Sequence, residues 1–190
     1  MYVEIINFTP DKIPAVKQFT DKYIGDNYYT EQDLLEVYNK SIKGNINSSF
    51  LLIEGGEIKG IRLAYMPGKW NDVKGTNGLT PEKWEGLSID DLGYFQSIFL
   101  AEEFVGKGWA QTLARLSISA IKRGGGKGIL THSWLESPNN SSLKYLERVG
   151  FKLVNSHPNY WINVNYQCPR CGNPCYCTAG EMLLVFEDAP

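Results

Sequence analysis

Apolar and polar positions change period several times along this chain, and the changes mark out its elements. Tyr2 to Phe8 is a short, mostly apolar run that reads as a strand. Pro10 to Ile24 reads as a helix, with Thr9 as its N-cap and Pro10 at its first position. Thr30-Glu31-Gln32-Asp33 has the form of a capping box and predicts a second helix to about Ile42, closed near Gly44. Phe50 to Ile53 and Ile58 to Met66 are strands, and Gly55-Gly56 between them signals a hairpin. Residues 67–90 carry Gly68, Gly75, Gly78, Pro81 and Gly86 and read as a long loop with a short helix near Pro81 to Glu85.

Leu92 to Leu100 is short and rich in aromatic and branched residues, as in a buried strand. Ala110, Leu113, Ala114, Ser117 and Ile121 then recur at helical spacing, with Arg115, Lys122 and Arg123 off that stripe, until Gly124-Gly125-Gly126 stops the helix. Ile129 to Ser133 is a strand, Ser137-Pro138 opens a helix to Val149 closed by Gly150, and Phe151 to Val154 and Met182 to Phe186 are strands. The order is β-α-α-β-β-β-α-β-α-β-β, without an internal repeat or low-complexity linker. It predicts one mixed α/β domain over residues 1–190, with an irregular insertion at 155–179.

Composition narrows the classes. A chain of 190 residues with 43% hydrophobic and 21% charged residues is that of a soluble globular protein able to bury a core. A net charge of -2 argues against nucleic-acid binding driven by bulk charge. No apolar run approaches the roughly 20 residues that span a bilayer. Met1-Tyr2-Val3-Glu4 lacks a basic segment followed by an apolar one. A cytoplasmic protein without membrane contact is the expectation.

The strongest chemical signal lies in Val105-Gly106-Lys107-Gly108-Trp109-Ala110, between the Leu92–Leu100 strand and the following helix. A glycine-rich turn feeding a helix aims unpaired N-terminal amides at one point, where the helix dipole favours an anion. Glycines let the main chain approach phosphate oxygens closely. A phosphate-bearing ligand follows from this turn, and an ordinary tight turn is its plain alternative.

With that turn, the element order and Asn139-Asn140-Ser141-Ser142-Leu143-Lys144-Tyr145-Leu146-Glu147-Arg148-Val149-Gly150-Phe151, the chain resembles the GNAT superfamily of acyl-coenzyme A N-acyltransferases. The family's pyrophosphate loop, Gln/Arg-x-x-Gly-x-Gly/Ala, falls on residues 105–110. Gly108 and Ala110 match, and Val105 stands where a Gln or Arg is usual. The resemblance implies a central, mostly antiparallel sheet with helices on both faces. It also implies that the fourth and fifth strands splay to admit the pantetheine arm of acetyl-coenzyme A. The residues it assigns to that cosubstrate are Ile98, Phe99, Leu100, Val105, Gly106, Lys107, Gly108, Trp109, Ala110, Asn139 and Ser142.

Acyl transfer to an amine needs a deprotonated nucleophile and an acid for the leaving thiolate. In similar enzymes a Tyr on the last helix supplies the acid; that position here is Leu146, with Tyr145 one residue earlier, about 100° around the helix. The carboxylate base usual on the fourth strand is also missing, Tyr94 and Gln96 occupying that region. His132, on the fifth strand, is the candidate base and Tyr145 the candidate acid. Packing roles compete with both readings.

All four cysteines fall in Cys168-Pro169-Arg170-Cys171-Gly172-Asn173-Pro174-Cys175-Tyr176-Cys177. Cys-x-x-Cys-Gly is a good zinc knuckle, and Cys175 and Cys177 would complete four tetrahedral ligands, with His157 as a substitute for one of them. In a reducing compartment clustered thiols favour a structural zinc over disulfides, free thiols or an iron–sulfur cluster. Four thiolates leave no open position for substrate. Tyr160, Trp161, Tyr166 and Tyr176 surround the cluster, so the stapled loop is expected to wall the acceptor pocket.

The reading is an acetyl-coenzyme A dependent N-acetyltransferase acting on a small amine or peptide amine by direct transfer, with a homodimer left open. A non-catalytic acyl-coenzyme A sensor or partner protein is the alternative. A nucleic-acid-binding zinc module is poorly supported, because Arg170 and Lys152 are the cluster's nearby basic residues.

Overall fold

A computed structural model describes residues 2–71 and 78–187. β1 (Val3–Asn7) is followed by a 3-10 turn at Pro10–Lys12 and then by α1 (Ile13–Tyr23). The helix therefore starts three residues later than its proline signal suggested, and Thr9 makes no side-chain cap. Pro14 explains the delay. An α-helix begun at Pro10 would need the Pro14 amide to donate, whereas Pro is tolerated in a first turn. α2 (Glu31–Ser41) has the expected capping box: Thr30 Oγ accepts from the Asp33 amide at 3.0 Å, and the Asp33 carboxylate accepts from the Thr30 amide at 2.8 Å.

Beyond α2 a two-residue pair, β2 (Ile42–Lys43) and β3 (Ile46–Asn47), turns at Gly44. β4 (Phe50–Glu54) and β5 (Glu57–Tyr65) form the hairpin, with Gly55 and Gly56 both at positive φ as a tight right-twisting turn demands. Within the 67–90 loop the predicted helix is a 3-10 turn at Pro81–Lys83, and Gly75 lies outside the described residues.

β6 (Leu92–Leu100), α3 (Trp109–Arg123) and β7 (Gly128–Trp134) follow. A 3-10 turn at Pro138–Asn140 precedes α4 (Ser141–Val149), because Asn139 and Asn140 are left-handed and cannot be part of the helix. Gly150, at φ 110°, closes α4. β8 (Lys152–His157) runs further than the sequence suggested, paired through His157↔Ala179 with β9 (Ala179–Val185). The irregular insertion is accordingly 158–178.

β1, β4, β5, β6, β7, β9 and β8 lie in that order in one sheet, antiparallel except for β6–β7. α1 and α2 pack on one face over Phe8, Leu34, Leu51, Ile61 and Leu63. α3 and α4 cover the other over Ala64, Phe95, Ile121, Ile129 and Met182. Alternate β5 residues therefore serve different cores, which fixes the register of the sheet. No helix among the described residues is long and apolar enough to cross a membrane.

Candidate functional site

β6 and β7 pair only from Leu92↔Gly128 to Phe95↔Thr131. Beyond that, β6 stays with β5 and β7 with β9, so the two strands diverge. A bulge starts the divergence: Leu63 opposes Ser97 and Ala64 opposes Phe95, which leaves Gln96 without a β5 partner. The opening is a cavity of about 730 Å³, walled on one side by Gln96 to Leu100 and on the other by Thr131, His132 and Trp134. The splay expected of the fourth and fifth strands of the main sheet is present, at β6 and β7.

Ile98, Phe99, Leu100, Val105, Ala110 and Ser142 line this cavity together with His132 and Tyr145. Gly106 and Gly108 are left-handed, at φ 77° and 84°, and a Cβ on either would meet nothing within 4 Å. Backbone conformation, rather than crowding, demands glycine there. Gly108 is the N-cap of α3 and offers no capping side chain. Among the described residues the amides from Gly106 through Gln111 find no acceptor, so the turn, Lys107 and Trp109 included, presents open donors at a fifteen-residue helix's positive end. Asn139 is exposed, outside the cavity lining, and its carbonyl accepts from Lys144 Nζ at 2.8 Å.

His132 sits just past the last β6–β7 pair, where the strands part, with both ring nitrogens engaged. Nε2 lies 2.8 Å from the Gly78 carbonyl, which can only accept, so Nε2 carries the hydrogen. Nδ1 therefore accepts from the Tyr94 hydroxyl at 2.7 Å. Burial pulls the imidazole down to about 4, and it is neutral at physiological pH. Tyr160 stacks on it with centroids 4.5 Å apart.

Behind His132 lies Glu181, fully buried on β9 and missed by sequence reasoning. Its carboxylate accepts from the Thr80 amide, the Thr80 hydroxyl, Trp84 Nε1 and His157 Nε2. Burial pushes its pKa up, but those hydrogen bonds outweigh burial and hold it below the usual carboxylate value. This network ties the loop after residue 77 to the sheet. It also places His157 with His132 and Glu181, apart from the four cysteines, so it is not a ligand of their cluster.

Tyr145 does not lie free in the cavity. Its hydroxyl donates to the Ala110 carbonyl at 3.2 Å and accepts from Arg62 Nη2 at 2.8 Å. Arg62, on β5, was also missed; a lone arginine inside an apolar strand run was its signal. Leu146, at the position where similar enzymes carry the acid, is buried.

The four cysteines come together as free thiols, every Sγ within 4.8 Å of the others. Cys171 Sγ stands 3.6 Å from Cys175 Sγ and 3.7 Å from Cys177 Sγ. A tetrahedron with metal–sulfur bonds of about 2.3 Å has edges of about 3.8 Å, so the cluster fits a metal ion. The Tyr176 amide donates to Cys171 Sγ and the Tyr166 hydroxyl to Cys175 Sγ. Burial alone would raise the Cys168 thiol, but amide donors from Cys171 and Arg170 bring it to about 7. Trp161, Tyr166, Cys168, Pro169 and Arg170 line the cavity, whereas Tyr160 is buried against His132 and Tyr176 is exposed on the outside.

No protein-family model and no curated protein matches the chain. Solved structures do. The ribosomal-protein-S18-alanine N-acetyltransferase of Escherichia coli superposes with a TM-score of 0.66 at 12% identity, over 97% of this chain and 94% of that one. A GNAT-family acetyltransferase from Streptococcus pneumoniae gives 0.64 at 12%, over 97% and 99%. Arabidopsis thaliana Naa50, in complex with the bisubstrate analogue CoA-Ac-MVNAL, gives 0.64 at 14%, over 98% and 100%. With its splayed strands, free α3 amides and strand order, this chain has the fold of the GNAT N-acetyltransferases.

Proposed function

We propose that this protein is an acetyl-coenzyme A dependent N-acetyltransferase that acylates a small amine or a peptide amine by direct transfer. One observation carries the reading: the cavity between diverging β6 and β7 has a turn of open amides at one end and a neutral, half-buried imidazole at the other. Acetyl-coenzyme A would supply the activated acyl group. Gly106 to Ala110 would hold its diphosphate, the unpaired edge of Ile98 to Leu100 its arm, and Ser142 would flank it. An orphaned buried acceptor, Gln96 Oε1, also faces this space and suits an incoming N–H.

His132, which lines the cavity, would take the acceptor's proton at Nδ1 once the Tyr94 hydroxyl turns aside, and Nε2–H stays on the Gly78 carbonyl. Tyr145 returns a proton to the leaving sulfur after giving up the Ala110 carbonyl. Burial keeps the imidazole unprotonated before reaction but also weakens it as a base, so proton transfer must accompany attack on the acyl group.

Cys168, Cys171, Cys175 and Cys177 hold a structural zinc in this reading, and the loop they staple forms one wall of the acceptor end. Tyr23, Tyr28, Trp161 and Tyr166 make that end aromatic. The protein works in the cytoplasm. A second reading, an acyl-coenzyme A sensor without turnover, draws on the engagement of both His132 nitrogens and of Tyr145. Calorimetry with acetyl-coenzyme A, followed by thiol release across a panel of amines and peptides, tests both. Binding with turnover supports the enzyme, binding without turnover the sensor, and absence of binding removes both.

A further inference from the structure

Arg62 is 1% exposed, yet no carboxylate among the described residues pairs with it. An arginine stays protonated in a protein, so this is a buried cation with no counter-charge. Burial works against that charge, and Tyr145 offsets it only in part. The guanidinium lies over the Phe95 ring at 4.0 Å, gives one hydrogen bond to the Tyr145 hydroxyl at 2.8 Å, and leaves Nε without a partner. Phe95 belongs to the last β6–β7 pair, Phe95↔Thr131. The cation therefore lies where the two strands part, and it lines the cavity there.

The Tyr145 hydroxyl shows what the charge serves. Its oxygen accepts from Arg62 at 2.8 Å, and its hydrogen goes to the Ala110 carbonyl at 3.2 Å. The longer bond is the one the hydroxyl gives up when it serves the leaving sulfur. The shorter one survives that change, because Arg62 Nη2 holds the oxygen and not the hydrogen. A phenol that yields its proton becomes an anion, and this one would form 2.8 Å from a guanidinium that no other charge neutralises. The resting protein gives Arg62 no counter-charge; the reaction does. A fixed charge that meets its partner only as the partner forms favours the transition state over the resting state.

We propose that Arg62 is a positioning residue for Tyr145: it holds the hydroxyl oxygen at the parting of β6 and β7 and stabilises the phenolate that forms as the proton passes to the leaving sulfur. The proposal rests on the acetyltransferase reading and on Tyr145 as its acid. In this step the acceptor nitrogen bonds to the acyl carbon, and the carbon–sulfur bond breaks with its electron pair on sulfur. The Tyr145 proton goes to that sulfur, and the O–H electron pair stays on the Tyr145 oxygen beside Arg62. The proton that His132 took from the acceptor returns through solvent to Tyr145, which leaves both residues as they began.

Arg62→Met, Tyr145→Phe and the double variant test this by steady-state kinetics, calorimetry with coenzyme A and thermal melting. Arg62→Met should lower kcat by about 10- to 100-fold, the worth of a hydrogen bond to a charged group. The KM for acetyl-coenzyme A and the calorimetric affinity for coenzyme A should not change. In the Tyr145→Phe background the same substitution should cost no further turnover, because the hydroxyl it acts through is gone. Arg62→Lys keeps the charge and loses the fork, so its kcat should fall between those of wild type and Arg62→Met. If the methionine chain does not fold, Arg62→Lys carries the same comparison in both backgrounds. Without ligand, Tyr145→Phe should melt below wild type, and adding Arg62→Met should raise that temperature by removing a cation left with no hydrogen-bond partner. Wild type without turnover, or Tyr145→Phe with full turnover, overturns the parent reading and this one with it. Where Tyr145→Phe is impaired, four results overturn this inference alone: unchanged kcat in Arg62→Met, equal losses in both backgrounds, a loss confined to coenzyme A affinity, or melting lowered alike in both backgrounds.

Discussion

Acidification should unfold this protein through His132 before its buried carboxylate titrates. In the folded chain the imidazole is neutral to about pH 4. Unfolded, a histidine titrates near 6.5. Between those values the unfolded chain binds a proton that the folded chain refuses, so stability falls as pH falls, starting near 6.5 and levelling off below about 4. The linkage gives a loss of about 2 kcal/mol at pH 5 and about 3 kcal/mol by pH 4. Other groups facing His132 are separable. Burial pushes Tyr94 and Tyr160 up, out of the window, and Glu181 is held low, so its contribution begins to be lost only near the unfolded carboxylate value, about 4.3, below the pH 5 at which the proteins are compared. His157 remains in both proteins compared. Urea unfolding of wild type and His132→Gln at pH 7.5 and pH 5 isolates the difference, because glutamine cannot titrate. Wild type should lose about 2 kcal/mol more than the variant over that interval. Equal losses would show that the imidazole is not held neutral by burial, and the proton economy proposed for it would go too.

The remaining predictions address the turn, the cysteines and the buried carboxylate. Gly108→Asp puts a charge and a side chain at a φ of 84°. It should abolish coenzyme A binding by calorimetry and cost the fold only about 1 kcal/mol, so unchanged affinity would refute the anion cradle. Protein purified without added metal should carry one equivalent of zinc by elemental analysis. Cys171→Ser should lose it, lower the melting temperature and raise the acceptor KM while leaving coenzyme A affinity intact; metal-free wild type would overturn the site. Glu181→Gln replaces a buried anion that has four donors, and urea unfolding should show a loss of about 3 kcal/mol. A loss under about 0.5 kcal/mol would mean the network does not hold the loop.

Much of the site was readable because its signals are local. The capping box at Thr30 and Asp33, the Gly55-Gly56 hairpin and the glycine turn before α3 each depend on a few neighbouring residues and their φ preferences. Where a distant residue intervened, local reading slipped. Pro14 moved the start of α1, and pairing with β9 carried β8 on to His157. Locally Tyr94 only fills the base region, because its bond to His132 joins positions 38 residues apart.

By itself the sequence determined the order of elements, the open-amide turn and the clustering of four thiols within ten positions, because periodicity, glycine and short cysteine spacings act over one or two turns of chain. The tertiary structure decided what those features face. It set both nitrogens of His132 against Tyr94 and Gly78, bound His157 to Glu181 rather than to the cysteines, and brought Arg62 beneath α3 without a counter-charge. Each of these rests on strands meeting across the sheet. Burial then turns a polar side chain into a neutral base, a fixed anion or an unpaired cation according to which partners the fold supplies.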